Sequence, residues 1–195
     1  MKSGFKFVIA GSILLAIALI AIGLLIYRIR AGSSLSGGQL EIVMHNAGDL
    51  SPERKQLNHC SIQLPRGFDI VPQSDSHFFA ARSSNASIMV SVFYFLNGKT
   101  FDSFVQDRRA DFLTYAGGAI KSEGRIKLAG LNGYTIVRLA RSGSHLLEYR
   151  EVYLERAHSG CYNLTTFTDE SSWDTTGKIL DSSLASFQIT DEEGQ

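Results

Sequence analysis

The sequence predicts an α+β domain, an antiparallel β-sheet with helices packed on it, preceded by one N-terminal transmembrane helix. Three observations carry that expectation. Strand-like runs come in succession, one helix interrupts them, and hairpin-linked strands lead to a second helix. That order segregates helices from an antiparallel sheet, whereas strict βαβ alternation would build a parallel one. Phe7 to Tyr27, "FVIAGSILLAIALIAIGLLIY", is unbroken and uncharged. The later strand-like segments are short, rich in β-branched and aromatic residues and bounded by turn residues.

The apolar segment comes first. At 1.5 Å per residue its length is about 31 Å, the thickness of a bilayer core. It ends in Tyr27-Arg28-Ile29-Arg30 rather than small residues, which disfavours a cleavable signal peptide. Gly4-Phe5 resembles a pilin-type leader, but Ile9 stands where a glutamate is wanted. Residues 1–30 are therefore expected to be an anchor. Lys2, Lys6 and the terminal amine nearly balance Arg28 and Arg30 across it. A short basic head favours a cytosolic tail and an exported domain. The expected location is the inner (cytoplasmic) membrane, single-pass, with the C-terminal domain in the periplasm or outside the cell.

Residues 31–59 read as a tether. "AGSSLSGG" is small and polar, and "QLEIVMH" suits a short strand or extended segment. In "DLSPERKQL", Ser51 as N-cap and Pro52 at the first helical position predict a short helix. The compact domain is expected over 60–190. "SIQLP" and "FDIVP" suit an opening hairpin or sheet edge. "HFFAAR" and "SIMVSVFYFL" follow around the turn-like "SSNA". Both faces of the latter are apolar, which predicts a central strand covered on both sides. Thr100 caps a helix over "FDSFVQDRRADFLTYAG", ended by Gly117-Gly118. "AIKSEGRIKLAG", "GYTIVRLARSG" and "HLLEYREVYLERAH" are strands, with "LNG" and "SGS" as their hairpin turns. "CYNLTTFT" is the next strand. "ESSWDTTGKILDSSLASF" is a helix with Ser171 and Asp174 at capping-box spacing. "SFQI" closes the domain, and residues 191–195 are an acidic tail.

Charge limits the partners. The whole chain has 19 basic and 19 acidic residues, but from residue 31 onward 15 basic face 19 acidic, a net of −4. A mildly acidic domain is a poor phosphate binder, so no nucleic-acid partner is expected.

Motifs for chemistry are weak. "NGKT" sits between a strand and a helix, but a phosphate loop needs a glycine at the position of Phe93. Ser144 and His145 are neighbours in a turn, with no acid in view to orient the histidine. Asp169, Glu170 and Asp174 suit capping and solvation. Glu148, Arg150, Glu151, Glu155 and Arg156 look like a solvated strand face with cross-strand ion pairs. The rings of Phe78, Phe79, Phe93, Tyr94 and Phe95 read as core. Two sequons, at Asn85 and Asn163, are uninformative. No catalytic residue, metal ligand or small-molecule cofactor is expected. The cysteines are Cys60 and Cys161. With His59 and His158 beside them a zinc site is conceivable, but adjacent strand residues face opposite ways. In an oxidising compartment the pair could form a disulfide, and closing a loop of ~100 residues would be worth about 4–5 kcal/mol. Two buried free thiols are the alternative, because nothing in the sequence brings the two together.

"LPRGFDIVP", then the long "YREVYLERAHSGCYNLTTFT", then the Trp-headed "SSWDTTGKILDSSLASFQI" resemble, in that order, the PsbP-like (Mog-type) domain. The anchored architecture is similar to that of its bacterial DcrB-like membrane-anchored members. The resemblance spans about residues 60–190. It implies an α/β/α sandwich and a binding or assembly module without a shared catalytic centre. The expected function is thus a membrane-anchored, exported, non-enzymatic module that supports an envelope protein complex, held to the membrane by its helix and bound to a protein partner. Two alternatives remain open, an immunity- or stress-type factor binding one specific protein, and an anchored hydrolase with a site assembled from scattered residues.

Overall fold

A computed structural model describes residues 40–57, 59–72, 78–96, 98–114, 118–156 and 160–190. The anchor expected over 1–30 and the acidic tail lie outside these residues. Among the described residues no helix is long and apolar enough to cross a membrane.

The sheet forms as expected. Antiparallel strands β3 (Asp69–Val71), β4 (Phe78–Arg82), β5 (Ala86–Tyr94), β6 (Ala119–Leu128), β7 (Leu131–Ser142), β8 (His145–Arg156) and β9 (Gly160–Asp169) make one seven-stranded sheet in the order β3-β4-β5-β9-β8-β7-β6. β1 (Leu50–Leu57), β2 (Cys60–Pro65) and β10 (Gln188–Ile189) make a three-stranded sheet in the order β1-β2-β10. Helices α1 (Phe101–Thr114) and α2 (Lys178–Ala185) complete the domain.

Two clusters define its layers. On one face of the large sheet, Ile88, Val90, Val152, Leu154 and Leu164 pack against Ile62 and Leu64 of β2 and Leu184 of α2. On the other, Tyr134, Ile136, Tyr153 and Cys161 meet Phe101, Val105 and Phe112 of α1. Alternation along each strand sends successive side chains to these two layers.

Five expectations need correction. The stretch 49–57 is not a helix, because Leu50–Leu57 pairs with β2 as an edge strand. Pro52 falls in the irregularity between Leu50 and Arg54, where its missing N–H leaves no ladder bond unmade. The fold reaches upstream of the expected boundary at residue 60. Ile42 packs on the first cluster, the Leu40 amide donates to Arg125 O at 3.0 Å, and the His45 amide donates to Ser182 Oγ at 2.9 Å.

The hairpin before β7 turns at Ala129-Gly130, both at positive φ (52° and 82°), rather than at "LNG". Gly133 lies inside β7, where a Cβ would come within 2.2 Å of the Tyr153 carbonyl oxygen. β5 is central but unevenly covered. Ile88, Val90 and Val92 are buried, whereas Phe93 and Tyr94 stand exposed.

The start of the last helix also differs. A 3-10 turn over Glu170–Ser172 and a π-turn over Trp173–Gly177 precede α2, with no side-chain cap from the expected Ser171–Asp174 box. The Trp173 ring occupies the space beside Gly177, where a Cβ would fall 2.6 Å from it. α1 follows the sequence more closely. Thr100 and Ser103 cap it reciprocally, Ser103 N–H to Thr100 Oγ1 at 3.2 Å and Thr100 N–H to Ser103 Oγ at 3.1 Å.

Candidate functional site

The turn "PRGF" links the two sheets and separates two surface hollows. β2 ends at Pro65, Gly67 takes a φ of 77° that favours glycine, and β3 starts at Asp69 in the other sheet. The turn is pinned to the head of β1, since the Arg66 amide donates to Asp49 O at 2.9 Å and its Nε to Leu50 O at 3.1 Å. Pro65, Arg66 and Phe68 thereby form a ridge with a hollow on either side.

One hollow, of about 570 Å³, runs between Ser51–Glu53 of β1 and Asp69–Ile70 of β3. The other, of about 310 Å³, lies between the ridge and Asn85, Thr176 and Ile179. β1 and β3 are each the outer strand of their sheet. The larger hollow therefore runs between two strand edges, with Lys55 and Arg66 set against Glu53 and Asp69 around it. Ile70 exposes 45% of its surface there. Strand edges offer main-chain donors and acceptors, and alternating side chains offer specificity. That combination suits an extended polypeptide.

A second exposed feature lies at the end of β5. Phe93 is 40% exposed, Tyr94 56% and Leu96 74%. The rings read as core from sequence thus divide. Phe78 and Phe79 are half-buried, Phe95 and Phe104 meet at a tilt with ring centres 5.1 Å apart, and Phe93 and Tyr94 are exposed.

The charged residues of β8 are not the solvated face expected. Glu148 is 2% and Glu151 4% exposed, and β8 sends them to opposite layers. Glu151 sits under α1. It accepts from Arg138 Nε and Nη2 at 3.1 and 2.9 Å, from Tyr153 OH at 3.0 Å and from Thr165 Oγ1 at 3.1 Å. The Arg138 guanidinium is held between the rings of Tyr149 and Phe112, at 3.9 and 4.4 Å from their centres. Burial pushes the Tyr153 hydroxyl well above its ordinary pKa, and Glu151 adds to that.

On the other face Glu148 takes Lys121 Nζ at 2.6 Å, and Arg150 Nη1 reaches Asp181 Oδ1 on α2 at 2.8 Å. This second contact is a charge pair without an aligned hydrogen bond, because neither Asp181 Oδ1 nor Arg150 Nε has one. Burial raises the Asp181 carboxyl to about 6, against the pull of Arg150 and His45. The ion pairs between strands expected from the sequence do form, but their burial was not expected. The signal was the alternation itself, since β8 is internal to the sheet and both its faces are covered.

The remaining sequence candidates are placed as follows. Lys99 of "NGKT" pairs with Asp107 at 2.6 Å, and Thr100 caps α1. His145 does find an acid, Asp169 Oδ1 at 3.1 Å from its Nδ1, but the imidazole is 67% exposed on a hairpin tip. Asn163 lies 9% exposed within β9, while Asn85 is exposed. Cys60 and Cys161 are free and buried. They belong to different clusters on opposite faces of the large sheet. Burial pushes the Cys60 thiol up to about 11 and the Cys161 thiol to about 12, which makes them poor nucleophiles at neutral pH. Among the described residues no group of three or more His, Cys, Asp or Glu side chains could hold a metal ion. His158 lies outside those residues.

No protein-family model and no curated protein matches the chain. Solved structures do. Cyanobacterial PsbP (CyanoP) from Synechocystis sp. PCC 6803 superposes at a TM-score of 0.55 and 13% identity, over 78% of this chain and 98% of that one. LpqN of Mycobacterium tuberculosis, described as involved in cell envelope biogenesis, gives 0.54 and 10%, over 68% and 83%. The Ran-binding protein Mog1p of Saccharomyces cerevisiae gives 0.52 and 10%, over 73% and 97%. The domain has a PsbP/Mog-like fold. At these identities the likeness is one of fold, and the site must be argued from its own residues.

Proposed function

We propose that this chain is a membrane-anchored, exported, non-enzymatic binding module, a DcrB-like variant of the PsbP/Mog-like fold, that supports or stabilises an envelope protein complex. The observation that carries the reading is the hollow between the β1 and β3 edges. It offers two strand margins, the exposed Ile70 and charges of both signs to an extended segment of a protein partner. Fold neighbours described as Ran-binding and as involved in cell envelope biogenesis make binding and assembly roles natural for this scaffold. The uncharged run from Phe7 to Tyr27 supplies the anchor.

The test is affinity capture of the intact protein from membranes in mild detergent, followed by mass spectrometry, beside an anchor-only control. A partner should enrich on the wild type and be lost from Ile70→Asp, whose melting temperature should match the wild type. If nothing enriches over the control, or if Ile70→Asp retains the same partner, the groove is not the binding site. A reporter fused to the C-terminus tests export separately, and cytoplasmic activity there would overturn it.

A further inference from the structure

The two margins of the groove do not offer the same groups to an extended segment. Along β1 the main-chain groups that line the hollow are already engaged. Pro52 has no N–H, the Glu53 amide donates to Ser51 Oγ at 3.3 Å, and Ser51 O accepts from Gln63 Nε2 at 3.1 Å. The ladder to β2 is irregular there. Proline, a ladder irregularity and charged neighbours are the means by which a sheet edge is closed to further pairing.

β3 is the open margin, and the neighbouring strands fix its hydrogen-bond phase. The Ser83 amide donates to Ala86 O at 2.9 Å across the β4–β5 turn. Main-chain groups alternate in direction along an antiparallel strand. Ala81 therefore turns its own toward Ile88 of β5, and Ala80 and Arg82 turn theirs toward Val71 and Asp69 of β3. Ile70, opposite Ala81, turns both its N–H and its C=O away from β4, off the outer edge of the large sheet. Among the described residues nothing bonds to either group. The flanking donors are closed. The Phe68 amide donates back to Pro65 O at 3.3 Å, and Pro72 lacks the N–H that would face the same edge.

The side chain of Ile70 sets what fits beside it. Its register row runs through Ala81 and Ile88, both buried in the first cluster. It therefore lies on that face, over the hollow, which Leu64 and Phe68 line with it. Two cations, Lys55 and Arg66, and two acids, Glu53 and Asp69, surround the hollow. Their charges cancel, so the apolar floor rather than net charge selects the occupant.

We propose that the partner segment joins the large sheet as an additional outer strand beside β3. It exchanges a pair of main-chain hydrogen bonds with Ile70. It sets an apolar side chain, β-branched or leucine, in the same row, against Leu64 and Phe68. The occupant is an extended segment of another protein with an uncharged, apolar centre. A second copy of this chain fits poorly. Two β3 strands of 3 residues each would meet over only about 10 Å, whereas a stable specific interface buries about 1,200–2,000 Å². A separate segment continues past β3 along the hollow. The inference rests on the groove reading above, and the experiment separates the two.

Phage-displayed random peptides are panned on the full chain in mild detergent. Synthetic copies of those selected are titrated against the wild type, Ile70→Asp, Ile70→Pro and Gln56→Pro. Ile70→Pro removes the outward N–H and no bond of the β3–β4 ladder. Gln56→Pro does the same on β1. The bond from the Thr190 amide to His59 O turns Ser61 toward β10, so Gln56, opposite Ser61, faces off the β1 edge. Each peptide is also methylated at one main-chain nitrogen at a time and titrated against the wild type, a measurement that does not depend on any variant folding. Amide hydrogen exchange at Ile70 is followed with and without peptide.

Selected peptides should share an apolar residue and bind Ile70→Pro about tenfold or more weakly, with Gln56→Pro unchanged. Methylation should abolish binding at the residue paired with Ile70 and be tolerated at its two neighbours. The Ile70 amide should exchange faster than those of Asp69 and Val71 in the free protein and become protected by peptide. Binding that is lost from Ile70→Asp, kept by Ile70→Pro and without protection at Ile70 leaves the groove standing and overturns the strand pairing. Loss from Gln56→Pro instead moves the pairing to β1 and also overturns it. Protection of Ile70 without peptide, rising with protein concentration, means that a second copy takes the edge and overturns the proposed occupant. If no selected peptide distinguishes the wild type from Ile70→Asp, the groove reading falls and the strand pairing falls with it.

Discussion

β8 delivers one carboxylate to each face of the large sheet, and the two faces treat their buried acids differently. Under α1, Glu151 accepts four hydrogen bonds from Arg138, Tyr153 and Thr165, and its cation is wedged between two rings. On the α2 face, Asp181 meets Arg150 at contact distance without an aligned bond, beside the carboxylate of Glu148 and within the field of His45. Burial alone does not decide the outcome, since both acids are less than about a tenth exposed. The number of aligned donors does. One face holds an acid tied by four hydrogen bonds into the packing beneath α1. The other holds an acid that titrates within the physiological range and lies against the segment that leads in from the N-terminus.

The largest effect expected from breaking this contrast is at Glu151. Glu151→Gln replaces a four-acceptor anion with a neutral amide and leaves the Arg138 guanidinium buried without its counter-charge. Losses of this kind run to about 3–5 kcal/mol. Urea unfolding should show the drop with an unchanged m-value. A loss under about 1 kcal/mol would mean that the pair behaves as a surface bridge and that the two faces do not differ as described.

Asp181→Asn should act with the opposite sign and depend on pH. The folded carboxyl is raised from 3.8 to about 6. The native state therefore holds its proton more tightly than the unfolded chain does. This contribution to stability is complete below the unfolded value and is lost as pH rises through about 6. A rise of this size corresponds to about 3 kcal/mol in the wild type between acid and neutral pH. The asparagine variant has no such decline, whatever its constant offset from leaving Arg150 unpaired. The difference in unfolding free energy between variant and wild type, followed from acid to neutral pH, should grow in favour of the variant. A flat difference would show that Arg150 satisfies Asp181 as fully as Arg138 satisfies Glu151.

These two sites also show what sequence reading could reach. The order of elements, the antiparallel pairing of β6 to β9 and the Thr100 cap follow from local pattern, because turn residues and alternation are encoded within a few positions. The errors came where a distant partner decided. Ser51-Pro52 looks like a helix start until β2 offers Leu50–Leu57 an edge to pair with. Ser171 and Asp174 look like a capping box until Trp173 packs on Gly177 and the turn widens. Glu148 and Glu151 look solvated until both faces of β8 are covered. The groove could not be read at all, because it lies between edges of two sheets that the chain joins only through Arg66-Gly67-Phe68. The motifs "LPRGFDIVP" and "SGCYNLTTF" were legible as fold markers, and the fold they marked is the one observed.

The smallest effect uses the two faces to test the thiols. Cys60 packs in the cluster with α2, where its Sγ–H donates to Leu57 O at 3.1 Å, and Cys161 packs in the cluster with α1. Each Cys→Ala change removes one buried sulfur and should cost about 1 kcal/mol. The sites share no cluster, so the double variant should cost the sum of the two single changes to within about 0.5 kcal/mol. A disulfide would give a different pattern. Either single change would then remove the whole loop constraint, about 4–5 kcal/mol. The two single variants would be equally unstable, and the double would be little worse than either. Additive small losses, together with an unreduced mass that shows no loss of two hydrogens, would confirm two separate thiols. Equal, large and non-additive losses would mean that the two cysteines meet, and that strands β2 and β9 are arranged otherwise than across the sheet from one another.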